Sequence, residues 1–194
     1  GNSTGTGTIV DAREGAALVL TCGHIFRASA GKGTITVTIF QTGQDGLQVR
    51  TTLAGKVENY DLQRDLGLVS IYTSEQVRVA PIAPPGTRLT PGSRVTTIGC
   101  NHGASPTAID SRITSVDRYQ MSPNVQVAGV PVEGRSGGGL FNELGQLVGV
   151  CMAADPQSNE GLYSSIRSIQ TKLDSLKLAK VYQNPSFGIP AVGS

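Results

Sequence analysis

Ser136 lies in the run Glu133-Gly134-Arg135-Ser136-Gly137-Gly138-Gly139-Leu140-Phe141. A hydroxyl is a weak nucleophile at neutral pH. It needs a base within hydrogen-bond reach, and the base needs a third group to fix its tautomer. Of the two histidines in the chain, His24 follows the apolar run AALVLT, and His102 falls in a polar loop. A histidine just past a buried strand sits on a rigid element, as a catalytic base must. Asp61 and Asp65 both stand ahead of the run LGLVSI, and either could place a carboxylate at the mouth of a buried strand. Asp65 abuts that run and should be the more buried. Gly134 lets consecutive N–H groups turn into one concavity, where the oxyanion of an acyl-transfer intermediate could sit. The same residues also fit a glycine loop, a locally bonded histidine and two solvated turn aspartates. The elements around them decide between these readings.

Those elements are mostly strands. The chain has 194 residues, 38% hydrophobic and 15% charged, enough to bury a core. Twenty-five glycines and ten prolines point to short strands and many turns. Strands are expected at 8–10, 16–21, 34–40, 47–53 and 55–59, with a turn at 41–46, and again where LGLVSI begins. Residues 74–92 carry Pro81, Pro84, Pro85 and Pro91 without periodicity and read as a linker. A second strand series is expected at 94–98, 109–116 and 125–132. In it, Asn142-Glu143-Leu144-Gly145 turns the strand after Ser136 back into one that runs on through Cys151-Met152-Ala153-Ala154. Residues 162–164 extend again. Ile166, Ile169, Leu173 and Leu176 then fall at helical spacing, with Ser164 or Ser165 as cap. The fold class is therefore all-β: two packed six-stranded antiparallel barrels closed by a C-terminal helix. The expected division is 1–80, a linker at 81–92, 93–165, and a helix and loose tail at 166–194. His24 and Asp65 then lie in the first half and Ser136 in the second, so the site falls in the cleft between them.

Composition excludes several classes. A net charge of +2 with scattered basic residues lacks the cluster that nucleic acid requires. No apolar run reaches the length of a membrane span. Cys22, Cys100 and Cys151 are an odd number without a CxxC pair and read as small buried hydrophobes. Neither a metal nor a cofactor is expected.

In order, GTGTIV, LTCGHIF, RDLGLVSI, EGRSGGGLFNELGQLVGV and GLYSSIRSI resemble segments of the chymotrypsin-like (trypsin-like) serine proteases. The similarity is greatest to the HtrA-type bacterial branch, whose corresponding motifs are GSGxII, TNxHV, TDIALIxI, PGNSGGPLxNxxGxVIGI and GFAIPxxxV. The resemblance implies a serine endopeptidase. In it His24 is general base and then acid, Asp65 its orienting partner, and Ser136 the nucleophile that forms an acyl-enzyme. Backbone N–H groups of Gly134 and Ser136 form the oxyanion hole. Cys151, Met152 and Ala153 form the edge on which a peptide substrate lies as an added strand. It also implies a specificity pocket with Val130 at its base, narrowed by Leu162 and rimmed by Glu133, favouring an uncharged small or apolar residue before the scissile bond.

The chain departs from the family pattern in several places. Arg135 replaces the acid that, in digestive relatives, pairs with a newly cut N-terminus. Gly139 replaces a proline and should give the hairpin more freedom. Cys22 precedes His24, so the family disulfide beside the histidine is not expected. Little room is left for a PDZ domain or a trimer-forming segment, so a monomer acting on protein or peptide is expected. The resemblance favours the periplasm or cell envelope. A catalytically silent peptide-binding module is the alternative, and an esterase using the same groups is a third reading. Because imidazole titrates near pH ~6.5, activity is expected to rise through roughly pH 6–8.

Overall fold

The computed structural model describes residues 3–42 and 48–185. The turn expected at 41–46 and the tail beyond 185 lie largely outside them. The first half is a five-stranded antiparallel sheet in the order β1-β2-β5-β4-β3. Its strands are β1 Thr8–Arg13, β2 Ala16–Thr21, β3 Ile35–Thr42, β4 Gln48–Asp61 and β5 Leu66–Tyr72. The second half is a closed six-stranded barrel in the order β10-β11-β8-β7-β6-β9. It is built from β6 Arg94–Cys100, β7 Pro106–Val116, β8 Asn124–Ala128, β9 Gly139–Phe141, β10 Leu147–Asp155 and β11 Glu160–Ser165. Helix α1, Ile166–Ser175, closes the chain over both halves, and a short α2, Lys180–Gln183, follows it.

The all-β, two-lobed architecture matches the sequence expectation, but the first lobe has five described strands where six were expected. The segments at 47–53 and 55–59 are one strand. From Arg50 to Glu58, exposed and half-buried residues alternate without a break through Ala54 and Gly55. An unbroken period of two is one strand, whatever small residues it contains. Conversely, β8 stops at Ala128, short of the expected 132, because Gly129 turns to φ +90°. Ser165 caps α1 in position but without a side-chain bond, its own N–H donating to Pro123 O. α2 continues to Gln183 where a loose tail was expected after Tyr182, since Val181 and Tyr182 are buried.

β5 explains how the lobes meet. It is an apolar run because both its faces are covered. Val69 and Ile71 face inward with Ala17, Val19, Phe26 and Ile39, inside the curl of the first sheet. Leu66 and Leu68 face the other way. With Val10, Leu20 and Cys22 they join one continuous core with Val95, Ile113, Val125, Leu140, Leu147 and Val150 of the barrel and Ile169 and Leu173 of α1. The proline-rich connection is packed, not slack. Ile82 pairs with Leu147 as a parallel bridge, Leu147 N–H donates to Pro81 O, Ala83 N–H donates to Leu147 O, and Ile82 and Ala83 are buried. Among the described residues, no helix is long and apolar enough to cross a membrane.

Leu147 fills the centre of this shared core with no exposed surface. Leu147→Ala should therefore lower unfolding free energy by about 2–5 kcal/mol, read as a reduced urea midpoint at unchanged slope.

Candidate functional site

The chain between β8 and β9 carries Ser136, and its hydrogen bonds can be followed peptide by peptide. Glu133 O accepts from His102 N–H, Gly134 O from the Thr6 hydroxyl, Arg135 O from Gly138 N–H, and Ser136 O from Thr6 N–H. Arg135 N–H donates to Val132 O, and Gly137 N–H to Cys151 O. Among the described residues, neither the Gly134 N–H nor the Ser136 N–H donates to a backbone carbonyl. In a trans peptide the C=O and N–H point in opposite directions. Tying Glu133 O to His102 therefore turns the Gly134 N–H away from His102, and tying Arg135 O to Gly138 turns the Ser136 N–H away from Gly138. Gly134 takes φ +93°, and a Cβ there would lie 2.7 Å from both Cys100 O and His102 N. Only glycine meets both demands.

Thr6, just ahead of β1, holds this turn from the other lobe. Its hydroxyl donates to Gly134 O at 2.7 Å and accepts from Cys100 N–H at 2.9 Å. Its N–H donates to Ser136 O at 2.7 Å, and its carbonyl accepts from the Thr21 hydroxyl at 2.6 Å. The only sequence signal for this role was the position of a hydroxyl between two glycines in GTGTIV. Gly139 does not loosen the hairpin. It is paired on both sides, with Val150 and with Ile98, and a Cβ would meet Phe141 at 2.5 Å.

His24 opens a short 3-10 turn after β2. Gly23 before it packs so closely that a Cβ would be 2.7 Å from Asp61 O. Both oxygens of Asp65 engage the histidine: His24 N–H donates to Oδ1 at 2.7 Å, and the ring Nδ1 lies 2.8 Å from Oδ2. A carboxylate can only accept, so Nδ1 carries a proton and Nε2 holds the lone pair of the neutral ring. Nε2 faces Cys22 Sγ at 3.8 Å. The Asp65 hydrogen bond, followed by the Cys22 contact, outweighs burial and pushes the His24 pKa up to about 10.

The two candidate aspartates have separate tasks. Asp61 Oδ1 accepts the N–H groups of Gln63 and Arg64, and its Oδ2 takes the Arg64 guanidinium at 2.9 Å. It shapes the tight turn from which Asp65, at φ +50°, reaches His24. That turn is fastened to the second lobe. Arg64 O accepts the Ser164 hydroxyl, and Lys172 on α1 donates to Asn59 Oδ1 at 2.6 Å beside Asp61.

The segments that carry the histidine and the serine pack against each other: a Cβ on Gly137 would lie 3.0 Å from Cys22 N. Thr6 joins Ser136 to β2 through Thr21, and a Cβ on Gly5 would touch Ser136 O at 2.9 Å and Ile25 Cγ2 at 3.4 Å. β9 covers β10 only as far as Val150, and β11 lies on its other side. Past Cys151, which is tied to Gly137 and Gly138, the backbone edge of Met152 and Ala153 is open, with Met152 half-buried and Ala153 exposed. Val130 is partly exposed after Gly129. Glu133 is exposed and 3.8 Å from the His102 ring. Pro131 packs on Gly161, whose Cβ would meet it at 3.0 Å. Strand alternation turns Leu162 to the opposite face of β11, so the residues of β11 that face the 130–131 segment are Gly161 and Tyr163. The cysteines are free thiols. Burial pushes the Cys151 thiol up to about 12, so it stays neutral.

This arrangement offers an imidazole whose Nδ1 is fixed by a carboxylate, a serine on a braced turn, two N–H groups in that turn that donate to no backbone carbonyl among the described residues, and an open strand edge. The family model described as a trypsin-like peptidase domain matches residues 5–150. The Arabidopsis thaliana protein named protease Do-like 14 is 31% identical over 212 aligned positions, covering 99% of this chain and 45% of its own length. The chain thus spans less than half of that relative. The crystal structure of Rv3671c from M. tuberculosis H37Rv, a serine-to-alanine mutant in its inactive form, superposes with a TM-score of 0.68. It is 20% identical, and the match covers 89% of this chain and 81% of that one.

A proton titration of His24 followed by NMR should have its midpoint well above the ordinary imidazole value of 6.5, near 10, and Cys22→Ala should lower it. The sign follows from the raised pKa. The stability contributed by the charged ring is complete below pH ~6.5 and fades as pH rises through the folded value. Any reaction that needs the neutral ring should rise through the same midpoint, alkaline of the pH 6–8 window expected from an unperturbed imidazole.

Proposed function

The chain belongs to the trypsin-like peptidase family, and from that premise we propose that it is a serine endopeptidase. The observation that carries the proposal is a serine turn in which the carbonyls of residues 133–136 are all bonded while the Gly134 and Ser136 N–H groups donate to no backbone carbonyl among the described residues. These two donors flank Arg135 next to the residue that bears a hydroxyl, and the imidazole proposed as its base has its Nδ1 held by a carboxylate.

In the proposed reaction, Ser136 Oγ gives its proton to His24 Nε2 and attacks the substrate carbonyl. The negative charge that develops on the carbonyl oxygen is met by the N–H groups of Gly134 and Ser136. Such a donor is worth about 10²–10³ in turnover in comparable enzymes. His24 then protonates the leaving amine, and the acyl-enzyme is hydrolysed by water activated in the same way. Asp65 keeps the proton on Nδ1 and supports the imidazolium. A substrate segment adds as a strand along the open edge at Met152 and Ala153, where main-chain hydrogen bonds give affinity independent of sequence. The side chain before the scissile bond enters between Val130 and Gly161. No charged residue is proposed at the base of that space, which supports a preference for small or apolar side chains.

Two experiments test this. A fluorophosphonate should add once to the wild type by intact mass and not at all to Ser136→Ala. A folded wild type without the adduct would leave a peptide-binding module as the better reading. Asp65→Asn should lose turnover on the order of 10⁴, while Asp61→Asn, which alters only the turn, should retain most of it. The opposite ranking would transfer the orienting role to Asp61.

A further inference from the structure

Arg135, between Gly134 and Ser136, is 3% exposed. Among the described residues its guanidinium pairs with no carboxylate. Nη1 donates to Gly99 O, Asn101 Oδ1 and Thr107 Oγ1 at 2.9–3.2 Å, and Nη2 to Thr97 O, Thr97 Oγ1 and Thr107 O at 3.0–3.2 Å. Burying a cation is costly unless dipoles replace its water. The replacements here come from one hairpin, the end of β6, the 101–105 loop and the start of β7. That hairpin also supplies the groups behind the oxyanion turn. His102 N–H orients the Glu133–Gly134 peptide, Cys100 O abuts Gly134, and Cys100 N–H binds the Thr6 hydroxyl that holds Gly134 O. The planar fork can reach acceptors on both strands at once, which a lysine ammonium cannot do.

We infer that Arg135 is a positioning residue for the reaction proposed above: its buried fork locks the 97–107 hairpin to the 133–136 turn, so that the Gly134 and Ser136 N–H groups converge before any substrate arrives. The inference rests on the serine-endopeptidase reading. It makes the oxyanion site self-supporting, because the side chain that shapes it belongs to the turn and its acceptors to the adjacent hairpin. No charged partner from outside the barrel is needed.

The test uses the full chain with a fluorophosphonate as probe, whose phosphoryl oxygen occupies the oxyanion position. The saturating labelling rate, the apparent inhibitor constant, the thermal midpoint and amide hydrogen exchange over residues 131–139 are measured together. Arg135→Lys and Arg135→Met should each slow the saturating rate about 10²-fold, leave the inhibitor constant unchanged and accelerate exchange at 131–139. Should the methionine variant fail to fold, Asn101→Ala and Thr107→Val each remove one acceptor of the fork and should show the same pattern to a smaller degree. Wild-type labelling by the lysine variant would overturn the inference, since charge alone would then suffice. A slowed rate without faster exchange would overturn it too. A wild type that is never labelled would overturn the endopeptidase reading and this one with it. A labelled wild type with unaffected Arg135 variants would overturn this one alone.

Discussion

A backbone group taken out of water must find a partner, and two carbonyls of the serine turn, those of Gly134 and Ser136, find it in one residue from the opposite lobe. The hydroxyl of Thr6 has one proton and two lone pairs, and it uses them to join Gly134 O to Cys100 N–H. Its own peptide groups join Ser136 to Thr21. A buried group left without a partner costs about 1–3 kcal/mol. An exposed ion pair such as Lys56–Glu58 contributes about 0–1 kcal/mol. The neutral hydrogen bonds of Thr6 therefore outweigh such surface pairs, and they add to the apolar core that the lobes share.

The charges that do matter are few and each is fully engaged. Asp65 divides its two oxygens between the backbone and the ring of His24, which fixes both where the imidazole sits and which nitrogen is protonated. Asp61 holds the turn that aims Asp65, and Lys172 and Ser164 fasten that turn to the second lobe. Arg135 is solvated by carbonyls and hydroxyls alone. Its positive field reaches Cys151, where it opposes but does not overcome the effect of burial.

What could be read from the sequence follows a physical division. The strands that bury a face carry it in their pattern: β2, β5 and β10 are apolar runs, and Ile166, Ile169 and Leu173 mark α1. Asp65 could be favoured over Asp61 because it touches such a run, and it is indeed 7% exposed. Long-range hydrogen bonds leave no such mark. Nothing local distinguishes Thr6 from the other threonines around it, and nothing marks the acceptors of Arg135, which lie up to 38 residues away. The segments 47–53 and 55–59, expected as two strands, are one, because the alternation continues through Ala54 and Gly55. The prolines at 81–91 read as a linker, and nothing local in them shows what the linker packs against. Their carbonyls and apolar neighbours close against Leu147, a contact that only the folded barrel can supply.

The bond from Thr6 to Gly134 spans 128 residues. Loop closure over that separation costs entropy that contacts near in sequence do not. The shape of the glycine turn is therefore not a local property of its own glycines: a chain that has not brought the segment before β1 against the 133–136 peptides leaves Gly134 O and Ser136 O without these partners, and the turn is set only when the two lobes meet.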